Sequence, residues 1–526
     1  MDSQENLQVE DPSSRPKHVV VVLLDSLNRH LLGAYGGREF TTPNLDRFAE
    51  KSVVFENHHT GSLPCMPARH DLLVGALDFP WRPWGSVEIW EDAITFALRQ
   101  AGVTTMLVSD HPHLFECGGE NYHIDFDAWE YVRGHENDPW KTRPDPSWIG
   151  TPALPVDEPR RGHFKYQDSR TWFKSEEDFP GPQTMQAAVR WVITNAGHHE
   201  RSLLVVDEFD PHEPFDTPEP WASMYREQGD DPWMIWPPYV IDGLKNGLIT
   251  EEEGRSLRAA YGAKLSMIDH WFGKLLDAID SSPDSDETAV IICTDHGHYL
   301  GEFDVWGKPG FPIHNTLGHI PMMIRWPGIE PRREQALTTT VDIHATLCDI
   351  YEISVDHRTH GRSLVPLVKQ KVSGVRDHCL SGYWGREVQL VTQDYTYTRG
   401  SVGDGFPLSM WSNRWSTMPV HSRPDIRLPR PDQRAYLDAM PGSSVPVIRQ
   451  PFMQGDFLPF WAYGGLKNEN LLFDRNVDPG ELDNLAAVHG TVQTDIEKSL
   501  VQRLKEALLE INAPEDVLER LGLQTH

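Results

Sequence analysis

The sequence predicts an α/β fold: a large, mostly parallel sheet flanked by helices, then a smaller C-terminal unit with an antiparallel sheet and a helix. Three observations carry this. Short apolar runs that do not alternate recur along residues 18–326, helical periodicity fills the stretches between them, and near residue 372 the character shifts to short aromatic-rich runs.

The first run, His18-Val-Val-Val-Val-Leu-Leu-Asp25, is apolar at odd and even positions alike, as a strand buried on both faces must be. Similar runs at Thr104–Ser109, Leu203–Phe209, Ala289–Thr294 and Pro321–Trp326 extend the sheet. Helical patterns at Thr184–Asn195 and Glu251–Ile279 supply crossovers between such strands. Beyond Val372, the run Gln389–Thr398 reads as strands of a smaller antiparallel sheet, and Thr494–Ile511 as an amphipathic helix. The expected division is therefore residues 1–371, the large α/β domain, and 372–526, the smaller one.

A chain of 526 residues, 39% hydrophobic, is too long for one compact core. Its formal charge of −30 (48 Lys and Arg against 78 Asp and Glu) repels nucleic acid and anionic membranes, so neither is an expected partner. An anionic substrate would have to be drawn in locally, by a metal and a few cationic side chains. No apolar run approaches membrane-spanning length, and Met1–Pro12 lacks the basic start and apolar core of a signal peptide. Cysteines 65, 117, 293, 348 and 379 form an odd set without paired spacing, as expected of a reduced, cytoplasmic protein.

Two strands end in acidic residues: Asp25 closes the first, and Asp295-His296-Gly297 follows Val290–Thr294. Ligand sites in open α/β sheets lie beyond the carboxyl ends of strands, so the two ends could share one crevice. Taken singly, such aspartates as often just cap turns. The most specific segment is Leu63-Pro-Cys65-Met-Pro67-Ala-Arg69. Pro67 suits a first helical turn, which puts Cys65 at a helix start where amides and dipole favour an anion. Arg69 follows one turn on. Left unmodified, this thiol is expected to be tuned toward thiolate; the plainer reading is a buried structural cysteine.

Cys65-x-Pro67-x-Arg69 resembles the core by which sulfatases are recognised for conversion of cysteine to formylglycine. Five further stretches resemble sulfatase segments in family order: Val21–Asp25 with Leu32–Gly36, Thr42–Asp46 with Val53–Asn57, Phe209–Pro214, Thr294–Gly297 with Leu300–Glu302 and Trp306–Lys308, and Asn476–Glu481 with Asp483–Ala486. The chain thus looks like a sulfatase of the alkaline phosphatase superfamily. That resemblance implies hydrolysis of a sulfate ester by a formylglycine made from Cys65. It also implies one divalent cation (Ca2+ first, Mn2+ as the alternative) held by Asp25, Cys65, Asp295 and His296. Arg69 and Lys308 would hold the anion, His212 would move a proton, and His111 and His113 would line the pocket. The implied partners are a small-molecule or carbohydrate sulfate ester and the formylglycine-generating enzyme; a homo-oligomer stays open.

The pattern departs in places. Ser26 stands where many sulfatases carry a second acidic or amide residue, and His296 where many carry asparagine. Where many show Gly-Lys-x-His, this chain reads Ser109-Asp110-His111-Pro112-His113. A related branch, the phosphonate monoester and phosphodiester hydrolases, also lacks that lysine–histidine pair and gives the second reading. A reading from another class is an inactive anion-binding relative with an unmodified Cys65. Trp-rich stretches at 80–84, 230–236 and 409–415 either stack on a sugar ring or pack beneath long loops, with packing preferred.

Overall fold

The computed structural model describes residues 15–154, 164–227, 233–415, 431–486 and 494–524. Met1–Pro12 and the 230–232 part of one Trp-rich stretch lie outside the described residues.

Eight strands build the main sheet: β1 (His18–Leu24), β2 (Val53–His59), β3 (Thr104–Ser109), β4 (Ala128–Tyr131), β5 (Ser202–Glu208), β6 (Thr288–Cys293), β7 (Met322–Arg325) and β8 (Arg332–Thr339). Their order is β8-β2-β7-β6-β1-β5-β3-β4. All neighbours are parallel except β7, which runs antiparallel to both β6 and β2. The chain between β6 and β7 passes through two short strands, the 3-10 turn Glu302–Asp304 and a four-residue helix, Asn315–Gly318, before β7 returns antiparallel.

β1 lies at the centre, Val21 facing Val205 on one side and Ile291 on the other. Its side chains alternate between two cores, which explains its unbroken apolar run. Val19, Val21 and Leu23 join Met66, Leu72 and Leu347, so helices α1 (Cys65–Val74) and α4 (Val341–Tyr351) cover that face. Val20, Val22 and Leu24 join Met185, Leu257 and Leu265, beneath helices α2 (Pro180–Asn195) and α3 (Glu251–Asp280). α3 starts at a capping box: Thr250 N donates to Glu253 Oε2 (2.8 Å) and Glu253 N to Thr250 Oγ1 (3.1 Å).

A second sheet gathers β9 (Cys379–Tyr383), β10 (Val388–Val391), β11 (Tyr395–Arg399) and β12 (Asn470–Asp474), antiparallel throughout. The run Gln389–Thr398 spans two of these strands, turned where Thr392 N donates to Tyr395 O at 2.8 Å. Helix α5 (Asp495–Glu510) covers the sheet with Leu500, Leu504 and Leu508. The two-residue strand Ser62–Leu63 pairs with β9, so this smaller sheet fixes the chain just before Cys65. Trp81, Trp84 and Trp411 are buried, as packing rather than an open stacking platform requires. Among the described residues no helix is long and apolar enough to cross a membrane.

Candidate active site

The carboxyl ends of β1, β5 and β6 meet the start of α1. Asp25 leaves β1 with its amide donating to Glu208 O (3.0 Å), and Asp295 leaves β6 two residues past Cys293. α1 begins at Cys65 itself and ends at Gly75, whose φ of 77° is the left-handed conformation that suits glycine. One ligand atom from each of Asp25, Cys65, Asp295 and His296 lies within 4.8 Å of the others, and all four residues are buried.

Each of these side chains is oriented by its neighbours. Asp295 Oδ1 accepts from Ser26 N (3.1 Å) and His296 N (2.8 Å), and its Oδ2 from Arg69 NH1 (3.0 Å). His296 Nδ1 donates to Gly297 O (2.9 Å), so the lone pair sits on Nε2, 3.3 Å from Cys65 Sγ. Burial first, then Lys308, lowers His296 to about 4 against the pull of Asp295, keeping the imidazole neutral at neutral pH. Asp25 Oδ1 accepts from Ser26 Oγ (2.8 Å). Asp25 Oδ2 has Arg69 NH2 at 2.9 Å but off the hydrogen-bond axis, and it accepts no hydrogen bond. A buried carboxylate oxygen left bare beside a second carboxylate and a neutral imidazole is a donor set for a divalent cation, and these residues fit one. Burial and then Asp295 push Asp25 well above the usual carboxylate range, whereas at Asp295 the attraction of His296 and Arg69 overcomes burial and holds it low.

The expected thiolate at Cys65 is corrected by the structure. Burial, reinforced by Asp25, drives the thiol well above its ordinary value. Two carboxylates within one cluster outweigh the dipole of a ten-residue helix.

Arg69 takes a place different from the expected one on the anion. Its Nε and NH2 grip Asp207 at 2.8 and 2.7 Å, NH1 reaches Asp295, and NH2 lies against Asp25. Three carboxylates thus surround one guanidinium beneath the cluster. Lys308 Nζ donates to Ser26 Oγ (3.1 Å) and lies 4.0 Å from Glu213 Oε2. Burial opposes its charge, but Glu213 and Asp25 among its neighbours outweigh that and raise it. Ser26, with φ at 60°, therefore links Lys308 to Asp25.

His212 donates from Nδ1 to Glu213 O (2.8 Å), leaving Nε2 as the lone-pair nitrogen; burial, then Lys308, lowers its pKa well below the ordinary value against the pull of Glu213. His111 and His113 part company. His111 Nδ1 accepts from His113 N (3.2 Å), and its buried Nε2, with no hydrogen-bond partner, faces Asp25 Oδ2 at 3.7 Å. His113 turns to Glu116 (3.1 Å) and Glu136 (3.2 Å). Burial opposes its charge, but Glu136 and Glu116 push it up to about 10.

Sequence reasoning missed Asp207, Glu213, Tyr239 and His298. The Tyr239 hydroxyl donates to Glu213 Oε1, and His298 Nε2 lies 3.3 Å from Glu213 Oε2. A signal existed for His298 in the Asp295-His-Gly-His298 spacing and for Asp207 at the end of a buried strand; Tyr239 had none.

Residues 17–353, well over half of the 526, match the family model described as Sulfatase. The chain belongs to the sulfatase family. A choline-sulfatase from Rhizobium meliloti (strain 1021) is 28% identical over 374 residues, covering 67% of this sulfatase and 71% of its own length. An arylsulfatase from Clostridium perfringens (strain 13 / Type A) is 23% identical over 403 residues, covering 69% and 80%. The crystal structure of a phosphonate monoester hydrolase of Agrobacterium radiobacter shares the fold, with a TM-score of 0.63 at 18% identity over 95% of this chain and 96% of that one.

Proposed function

We propose that this sulfatase hydrolyses the sulfate ester of a small molecule or carbohydrate with a formylglycine made from Cys65 and one divalent cation, Ca2+ first and Mn2+ as the alternative. The observation that carries this is the convergence of Asp25, Cys65, Asp295 and His296 within 4.8 Å, with Lys308 and His111 adjoining. When present, the hydrated aldehyde supplies the attacking hydroxyl and the cation supplies charge against the ester oxygens. The chain's own residues do the rest. Lys308, held by Ser26, opposes negative charge that grows on the leaving side. His212, neutral with a lone pair on Nε2, would accept the proton of the remaining hydroxyl as the sulfate anion leaves. His111 presents Nε2 beside Asp25, and Arg69 holds the carboxylates in place.

A second reading, hydrolysis of a phosphonate monoester or phosphodiester, is favoured by Asp110-His111 standing where the lysine of Gly-Lys-x-His would be. The five free cysteines support a reducing, cytoplasmic setting, and the change from the mostly parallel to the antiparallel sheet supports a division into residues 1–371 and 372–526.

The test has two parts. Co-expression with the formylglycine-generating enzyme should shift the mass of the Cys65 peptide by exchange of sulfur for oxygen; an unchanged thiol sinks the mechanism. The matured, metal-loaded enzyme should then prefer nitrophenyl sulfate to bis-nitrophenyl phosphate and a phenylphosphonate monoester by about tenfold or more, roughly 1.4 kcal/mol of transition-state discrimination. The opposite preference selects the second reading.

A further inference from the structure

A cleft of about 820 Å³ opens between the main sheet and the C-terminal sheet, and its lining shares no residue with the cluster around Cys65. Arg29, after β1, and Arg475, after β12, both line the cleft. Among the described residues the Arg475 guanidinium donates to neutral acceptors: Thr392 O (2.6 Å), Gln393 O (3.2 Å) and Asn57 Oδ1 (2.9 Å), with His59 Nε2 at 3.3 Å. Arg29 pairs with Glu56 at 2.6 Å, but Arg333 uses the same carboxylate, so two guanidiniums share one countercharge. Arg29 Nε is buried and donates to nothing. Burial lowers both Arg29 and Arg475 from the ordinary arginine value, against the pull of Glu56 on Arg29 and of Glu481 and Asp394 on Arg475. Of the acids near the cleft, Glu302 is taken up by Arg258 at 3.0 Å and Glu481 by His314 at 3.1 Å and the Asn315 amide at 2.8 Å. A chain of net charge −30 therefore keeps a locally cationic cleft of ligand size.

The rest of the lining speaks to the ligand. The side-chain amides of Gln335 and Gln393, with His319 and Asn476, offer neutral hydrogen bonds suited to hydroxyls. Phe303, whose ring lies 4.3 Å from that of His314, adds apolar surface together with Pro479 and Leu482. We infer that this cleft is a second binding site, distinct from the reaction centre, for an anionic sugar. Arg29 and Arg475 take its sulfate or carboxylate, and the amides take its hydroxyls.

Glucose 6-sulfate and sodium sulfate are the probes, titrated calorimetrically into the Cys65→Ala protein. Glucose 6-sulfate should give two binding events. The pair Gln335→Glu and Gln393→Glu, two surface side chains with no hydrogen bond of their own among the described residues, should weaken one event by at least about tenfold through like-charge repulsion. The same pair on the matured Cys65 enzyme should leave kcat/KM for nitrophenyl sulfate within about twofold. Arg475→Gln should weaken the same event, and circular dichroism will report whether that variant folds. A single event untouched by the glutamates overturns the site. Equal binding of sodium sulfate at the second event reduces it to a bare anion site and overturns the sugar assignment.

Discussion

Asp207 accepts both prongs of the Arg69 fork, Nε at 2.8 Å and NH2 at 2.7 Å, from a strand 138 residues along the chain. This bidentate pair aims the remaining donor, NH1, at Asp295 (3.0 Å) and keeps NH2 beside Asp25 (2.9 Å). Asp207 is thus a positioning residue for the two carboxylates that would hold the cation. Asp207→Asn keeps the shape and one acceptor but frees charge on Arg69 to compete for Asp25 and Asp295. Calcium affinity, measured by titration calorimetry, should fall about 10- to 100-fold, the usual cost of losing an outer partner of metal ligands. Unchanged affinity would reduce Asp207 to a packing role.

The Lys308–Ser26–Asp25 chain makes a different forecast. Ser26→Ala removes the acceptor for Lys308 Nζ and the donor to Asp25 Oδ1 together. Lys308 then keeps, among the described residues, the ion pair with Glu213 at 4.0 Å. kcat should fall about tenfold or more with KM changing less, because a mispositioned charge loses most in the transition state. A rise in KM with kcat unchanged would mean that Lys308 works mainly in substrate binding.

Much of this architecture was legible in the sequence, for physical reasons. Unbroken runs such as His18–Leu24 announce strands packed on both faces, and acidic residues just past them announce a crevice. The antiparallel β7 was not legible, because its run of Met322–Arg325 reads the same in either direction. Local spacing also misled at Arg69. Four residues after Cys65 it lies on the right side of the helix, but spacing cannot show that Asp207 arrives from a distant strand and claims it. His111 and His113 are two positions apart on one turn, and their roles separate only once Glu136 approaches from another loop.

His113 supplies a pH test with a definite sign. Its folded pKa of about 10 exceeds the unfolded reference of 6.5, so the imidazolium's contribution is fully present below pH 6.5 and is lost as pH rises through 10. The His113→Gln variant should therefore be less stable than the parent by a few kcal/mol near pH 6, judged by denaturant midpoints. The gap should close steadily between pH 6.5 and about 10. A gap independent of pH would mean that packing against Trp84 (5.0 Å), rather than charge, is what His113 supplies.

Glu481 connects the C-terminal signature, the sulfatase-like stretch Asn476–Glu481, to the candidate active site. Its Oε2 accepts from Asn315 N (2.8 Å) and contacts His314 Nδ1 (3.1 Å), pinning the start of the short helix Asn315–Gly318. That helix feeds the Asp295–Gly297 loop directly: Gly297 N donates to Leu317 O (2.9 Å), and Thr60 N to Gly318 O (2.9 Å). Thr60 Oγ1 in turn donates to Asp295 O (2.7 Å). A residue far from the chemistry in sequence therefore sets the backbone behind Asp295 and His296. Glu481→Gln retains the shape and an acceptor oxygen but loses charge-assisted bonding, at a cost to stability of about 1–3 kcal/mol. Because the loop it supports carries His296, calcium affinity should weaken by a few-fold in parallel. If the variant loses stability but binds calcium as tightly as the parent, the helix holds the two sheets together without tuning the site. If affinity falls at unchanged stability, the signature's acid acts on the loop alone.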